Sequence, residues 1–176
     1  MNKTFYLALS GLLMVASGIT LLFSKQIGVP NSKLLVPLFL LTSGICGFIF
    51  SKYDKLPKVA KQYHLAQGLG LSIYAIVMMS MINSLSSFLM LTTYFVVMFG
   101  LFEIVFAFMV LNSNRTINKR ILITRLVAGG INLIGGFILL ISSLSDQTMG
   151  AAIAGILILI GGISFIVFSR KVKENV

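Results

Sequence analysis

Six stretches of this chain, approximately 4–23, 34–50, 65–82, 88–111, 121–143 and 150–168, are almost wholly apolar. Each is long enough, or nearly so, for a helix to cross about 30 Å of hydrocarbon at about 1.5 Å per residue. No other feature limits the fold so severely. An unpaired backbone group in lipid costs several kcal/mol, so a spanning segment is a helix or belongs to a closed barrel, and the short alternating strands of a barrel are absent. The expected fold is an all-α integral membrane protein with six transmembrane helices, forming a single transmembrane domain over 1–176. The second run is short for a span. Asn31 and Ser32 are expected as its N-caps, with Pro37 in the first turn, where a missing N–H costs little.

Composition agrees with a bilayer. Of 176 residues, 57% are hydrophobic and 10% charged, and the mean hydropathy is +1.02, so too little polar side chain is present to cover a soluble domain of this size. The net charge of +10 would suggest nucleic acid in a soluble protein. Here the basic residues sit in short segments between apolar runs, which is membrane topology rather than a nucleic-acid surface. Cys46, the single cysteine, lies inside an apolar run and is expected as a small core residue, without a disulfide or a thiolate metal cluster. Met1-Asn2-Lys3 followed by an apolar run resembles a signal peptide, but 4–23 is long for one and no small-residue cleavage site follows it.

That first run is also part of an internal repeat. Laid without gaps on 11–52, the segment 129–170 matches it at Gly11/Gly129, Gly18/Gly136, Leu21/Leu139, Leu22/Leu140, Ser24/Ser142, Leu41/Leu159, Gly44/Gly162, Ile45/Ile163, Phe50/Phe168 and Ser51/Ser169. A weaker middle copy, 67–108, keeps Ser80, Gly100 and Phe106 in register with Ser24, Gly44 and Phe50. The chain therefore reads as three two-helix repeats. Since each contains two spans, all three enter the membrane in the same direction, as parallel repeats about an axis along the membrane normal.

The positive-inside bias sets the orientation. With cytoplasmic termini, the inner side holds Lys3, Lys52, Lys55, Lys58, Lys61, Arg115, Lys119, Arg120, Arg125, Arg170, Lys171 and Lys173, leaving only Lys25 and Lys33 of the 14 basic residues outside. The 83–87 and 144–149 turns carry none. Small residues let helices approach closely in lipid. Gly11, Gly18, Gly129 and Gly136, together with Gly44, Gly100 and Gly162, are expected at helix contacts, as are the pairs Ser43/Gly47, Ala66/Gly70 and Ala151/Gly155.

Glu103 is the one acidic residue deep in a span, about 12 Å from the inner end of the fourth run. The repeat has Gly47 and Phe165 at the corresponding positions, so the fold itself does not require a carboxylate there. An ionisable group in lipid is a functional-site candidate with a partner to be named, and Arg125, a turn into the fifth run, is that partner. The two read as a buried ion pair fixing helix register, as a proton-responsive carboxylate, or as a substrate or lipid contact. Asn132, Gln67, Tyr74, Thr42 and Thr92 are expected to make interhelical hydrogen bonds. His64 is expected as an interfacial polar residue, able to titrate near neutral pH. Lys52, Lys55, Lys58 and Lys61, with Tyr53 and Tyr63, either attract anionic lipid heads or only set topology.

No metal-spaced His/Cys/carboxylate cluster, Ser-His-Asp set, phosphate-binding glycine loop or second deep carboxylate is present in the sequence, and neither an enzyme nor a cofactor is expected. The spans also lack the Gly/Pro-broken helix pairs with convergent polar groups that mark a transporter's midplane site.

The recurring G-x6-G-x2-LL of the odd spans and G-I-x4-F-S-[KR] ending the even ones resemble the HdeD-like family of short-repeat bacterial membrane proteins. The carriers are Gly18-Ile19 to Leu22, Gly44-Ile45 to Lys52, Leu101-Phe102-Glu103-Ile104 and Gly162-Ile163 to Arg170. The resemblance covers nearly the whole chain. The middle repeat departs from the pattern, with Gln67 and Tyr74 where Gly11 and Gly18 stand. What the resemblance implies is a bacterial cytoplasmic (inner) membrane protein, without catalytic residues, whose activity is mostly undefined and is linked in the family's namesake to acid resistance. Two readings remain open at this point: a non-enzymatic membrane protein with a stress-related or structural role, acting through a protein partner or a homo-oligomer, and a small transporter or proton-linked channel using Glu103.

Overall fold

The computed structural model describes residues 4–53, 58–81, 84–111 and 119–174, with side chains over the same ranges except 81, 119–121 and 171–174. Lys3, Lys55, Arg115 and the side chains of Lys119, Arg120, Lys171 and Lys173, which the orientation argument uses, lie outside the described set. All described secondary structure is helical: α1 (Thr4–Leu22), α2 (Ser24–Ile27), α3 (Val29–Ser51), α4 (Lys58–Met81), α5 (Leu85–Leu111), α6 (Lys119–Ser145) and α7 (Gln147–Glu174). Five stretches within these helices, Thr4–Leu22, Val29–Ser51, Leu85–Leu111, Leu122–Ser145 and Gln147–Arg170, are long and apolar enough to cross a bilayer. The fold is all-α, with the polarity of a membrane protein. Ser10, Ser17, Ser43, His64, Glu103, Arg125 and Asn132 are buried, while Leu34, Ile73, Ile134, Phe137, Ile141 and Leu144 face outward.

Several local expectations need correction. The α2–α3 boundary is made by Gly28, whose φ of 90° is strained for any residue with a Cβ, and by Pro30 in the first turn of α3. Asn31 and Ser32 are therefore helical residues rather than caps, bonding back to the Ile27 and Gly28 carbonyls at 2.9 and 3.1 Å. Pro37 lies inside α3, not in its first turn, and its missing N–H leaves the Lys33 carbonyl without the usual i−4 donor. Helix α4 begins at Lys58, well before residue 65, so Lys58 and Lys61 belong to the helix and His64 lies inside it rather than at a junction. The polar turn near 144–149 shrinks to Asp146 alone: its amide still reaches the Ser142 carbonyl at 2.9 Å, and its carboxylate caps α7 by accepting from the Thr148 and Met149 amides at 2.8 and 3.3 Å. Ser84 caps α5 in the same manner through the Ser87 amide.

The long helices pack in the cyclic order α1, α3, α4, α5, α6, α7. The α1–α7, α3–α4 and α5–α6 contacts are the most extensive, α1–α3 and α6–α7 less so, and α4–α5 is thin. Backbone contact explains the closest pairs. A Cβ on Gly11 would stand 2.6 Å from the Gly162 carbonyl oxygen, one on Gly18 2.7 Å from that of Gly155, one on Gly68 2.7 Å from that of Gly44, and one on Gly100 2.7 Å from that of Gly129. Only hydrogen fits between these helices. Gly129 also backs onto the Glu103 side chain, and Gly136 onto Val97. Ala66 and Gly70, by contrast, are exposed, and nothing lies within 4 Å of a Cβ at Gly70; that pair is not a helix contact, because α4 meets α3 through Gly68 instead.

Candidate functional site

Where α4, α5, α6 and α7 converge, at the end of the bundle formed by the start of α4 and α6 and the end of α5 and α7, charged and polar side chains are enclosed by rings. Glu103 and Arg125 are both fully buried. Arg125 donates from Nε to Glu103 Oε2 at 2.6 Å and from Nη2 to Oε1 at 2.7 Å, the two-pronged arrangement that makes Arg–carboxylate pairs strong and directional. Helix α4 adds two donors one turn apart: the Tyr63 hydroxyl donates to Glu103 Oε1, and Gln67 Nε2 to the same oxygen at 3.1 Å. An ionised carboxylate has about four acceptor positions. Glu103 is nearly saturated by protein donors.

Arg125 is held from the other side by aromatic faces. Its guanidinium carbon lies 4.5 Å from the centroid of Phe106, 4.6 Å from Phe168, 4.9 Å from Tyr63 and 5.2 Å from Phe165, all within cation–π range. Tyr63 in turn stacks on Phe106 at 4.1 Å. The cage therefore links three helices through α5 and α7 rings and an α4 tyrosine, all converging on one α6 cation. Arg125 Nη1 is buried without a hydrogen-bond partner.

His64 is fully buried, which overturns the expectation of an interfacial residue. Its ring packs against Phe50 at 4.9 Å and Tyr63 at 5.1 Å, with Phe106 and Phe168 each at 5.9 Å. Neither ring nitrogen is hydrogen-bonded, the neighbouring Gln67 amide being committed to Glu103. Tyr63 likewise points into the bundle and not toward lipid heads. Lys52 sits 4.7 Å above the Phe48 ring.

Of the other polar residues, only Gln67 bonds across helices as expected. Asn132, Thr42 and Thr92 bond back to the i−4 carbonyls of Ala128, Leu38 and Phe88 at 3.0, 2.7 and 2.8 Å, because a short side chain in a helix reaches its own backbone before a neighbour's. Tyr74 makes no hydrogen bond. The interhelical bond that residue-by-residue reading overlooks is Ser10 with Ser43: the two hydroxyls are 2.8 Å apart, and Ser43 also reaches the Ser10 carbonyl at 3.0 Å. The i, i+4 spacing of Tyr63 and Gln67 was the available signal for the α4 half of the Glu103 site, since it puts both on one face.

Comparison with protein-family models, with curated proteins and with solved structures gave no match.

Proposed function

We propose that this chain is a non-enzymatic, six-span protein of a bacterial cytoplasmic membrane, with both termini inside, in which the Glu103–Arg125–Tyr63–Gln67 cluster is a structural lock. The saturation of Glu103 carries this reading. A proton relay or substrate carboxylate needs access to its cargo, whereas Glu103 is fully buried, with three donors on Oε1 and Arg125 Nε on Oε2. The sixth span is α4, whose 24 residues suffice for about 30 Å and whose polar residues are concentrated in its first half.

Three parallel two-helix repeats, 11–52, 67–108 and 129–170, are part of the proposal. In support, Gly44, Gly100 and Gly162 stand at equivalent positions and meet Gly68, Gly129 and Gly11, each at the start of the next repeat in cyclic order. Leu7, Tyr63 and Arg125 each precede a repeat by four residues, and Phe50, Phe106 and Phe168 are equivalent; all six are buried. The lock thus lies between the middle and last repeats. A role in acid or envelope stress is supported by the HdeD-like resemblance, and lipid heads at Lys52, Lys58 and Lys61 by their position at the inner end.

The test is flux. Protein reconstituted in liposomes and given an external acid jump should show no faster internal acidification or solute leakage than empty vesicles. Protein-dependent flux abolished by Glu103→Gln would instead establish the proton-linked channel reading.

A further inference from the structure

The thin α4–α5 contact leaves a cleft of about 240 Å³ between Gln67–Tyr74 on α4 and Tyr94–Phe102 on α5. Its back wall is apolar and buried, formed by Leu71, Phe95 and Phe99, with Tyr74 stacked on Phe95 at 4.6 Å. Its mouth, at Tyr94, Met98 and Phe102, is exposed and opens sideways among outward-facing apolar residues such as Leu69 and Ile73. No glycine crossing closes this pair of helices, and the space over Gly70 is empty to at least 4 Å. We propose that the cleft binds one acyl chain of a membrane phospholipid.

Size and surroundings select that occupant. The cleft is about 11 Å tall, from the seven rises of about 1.5 Å between Gln67 and Tyr74. A partner helix is about 10 Å across with its side chains and could enter such a cleft only through single side chains, leaving most of its length unfilled. Water is excluded as filling because a site of this kind offers it too few hydrogen-bond partners. An empty apolar space of this size forfeits the dispersion contacts of everything that lines it. At this depth in a bilayer, the flexible apolar rods that fit are lipid tails. The site does not use the lock at Glu103, but it rests on the proposed membrane placement with α4 as a span.

The chain contains no tryptophan, so a single introduced one reports on its own surroundings. Met98→Trp, at the mouth, and Ile134→Trp, on the open outer face of α6 with 65% exposure, are purified in detergent and titrated with phosphatidylcholine brominated on its acyl chains. Met98→Trp fluorescence should be quenched saturably, ending at equimolar lipid, while Ile134→Trp quenching should be weak and rise without saturation. Adding Gly70→Phe to Met98→Trp fills the cleft from a position with free space and should weaken apparent lipid affinity at least tenfold. Gly130→Phe, equally uncrowded but outside the cleft, should not. Non-saturating quenching at Met98→Trp, or saturation indifferent to Gly70→Phe in a variant that still unfolds cooperatively, overturns the proposal. If Gly70→Phe does not fold, the contrast between the two tryptophans decides it.

Discussion

Replacing Glu103 and Arg125 by leucine, singly and together, probes the lock most directly. Removing one member of a buried pair leaves the other charge uncompensated, at about 3–5 kcal/mol. The two single variants should not be equal. After Arg125→Leu, Glu103 keeps the Tyr63 and Gln67 donors, which places this variant at the lower end of the range. After Glu103→Leu, Arg125 keeps only the Tyr63 oxygen at 3.4 Å and the aromatic faces, while Tyr63 and Gln67 lose their acceptor as well. That variant belongs at the upper end or beyond. The double variant removes both charges but leaves the hydroxyl and the amide unsatisfied, at about 1–3 kcal/mol each. Its loss should be about 2–6 kcal/mol, against a sum of about 8 or more for the separate changes. The coupling is then at least about 2 kcal/mol, and adding Tyr63→Phe to the double variant should recover about 1 kcal/mol. Reversible unfolding by SDS titration in mixed micelles measures all of these. Additivity within about 0.5 kcal/mol would refute the lock and leave Glu103 free for a proton-responsive role.

Three further outcomes are expected. Gly100→Ala brings its Cβ to 2.7 Å from both the Gly129 carbonyl oxygen and the Leu133 amide nitrogen, and should lower stability by about 2 kcal/mol or more, whereas Gly70→Ala, with open space around it, should be neutral or gain up to about 1 kcal/mol; thermal melts separate the two. In a Cys46→Ser background, cysteines at the exposed Ser86 and Gln147 should react with impermeant thiol reagents from outside intact cells and one at Lys58 should not, with the inverse pattern overturning the orientation. His64→Phe exchanges two unpartnered buried nitrogens for carbon within an aromatic cage, and should leave stability unchanged or raise it by about 1 kcal/mol; a loss above about 2 kcal/mol would mean that the imidazole makes a bond essential to the fold.

Much of the helix pattern was legible because lipid permits so few alternatives: runs of apolar residues become helices, and glycines spaced seven apart on α1 do lie on one face against α7. The ends were less legible. Extension of α4 back to Lys58 carries lysines into a helix whose apolar half lies further on, which a hydropathy window cannot locate. Asn31 and Ser32 are good cap residues by type, but Gly28 supplied the turn first. For the candidate site, Glu103 and Arg125 stood out because charge in an apolar run is rare. Gln67 was expected in an interhelical hydrogen bond, though not with Glu103, whereas Tyr63 and His64 near a basic segment look interfacial until α4 is seen to rotate them inward. The phenylalanine cage was only partly legible: the repeat register sets Phe106 and Phe168 apart among 14 phenylalanines, but nothing in the spacing distinguishes Phe165 from the outward-facing Phe102 and Phe108.

On the proposed three-repeat reading, the lock and the cleft trace to one departure in the middle copy. Where the outer repeats use Gly11 and Gly129 for the close crossing, the middle one has Gln67, and the crossing to Gly44 passes to Gly68, one residue on. A shift of one residue is a rotation of about 100° about the helix axis. It turns Gln67 away from α3 and toward Glu103 on α5, where an amide donor is useful and a glycine would have offered none. The same rotation leaves Gly70 facing open space, so α4 and α5 meet through a carboxylate network at one end and part around a cavity beyond it. A chain with glycine at 67 would have offered Glu103 no amide there, whereas the corresponding α1–α3 seam closes through Ser10 and Ser43.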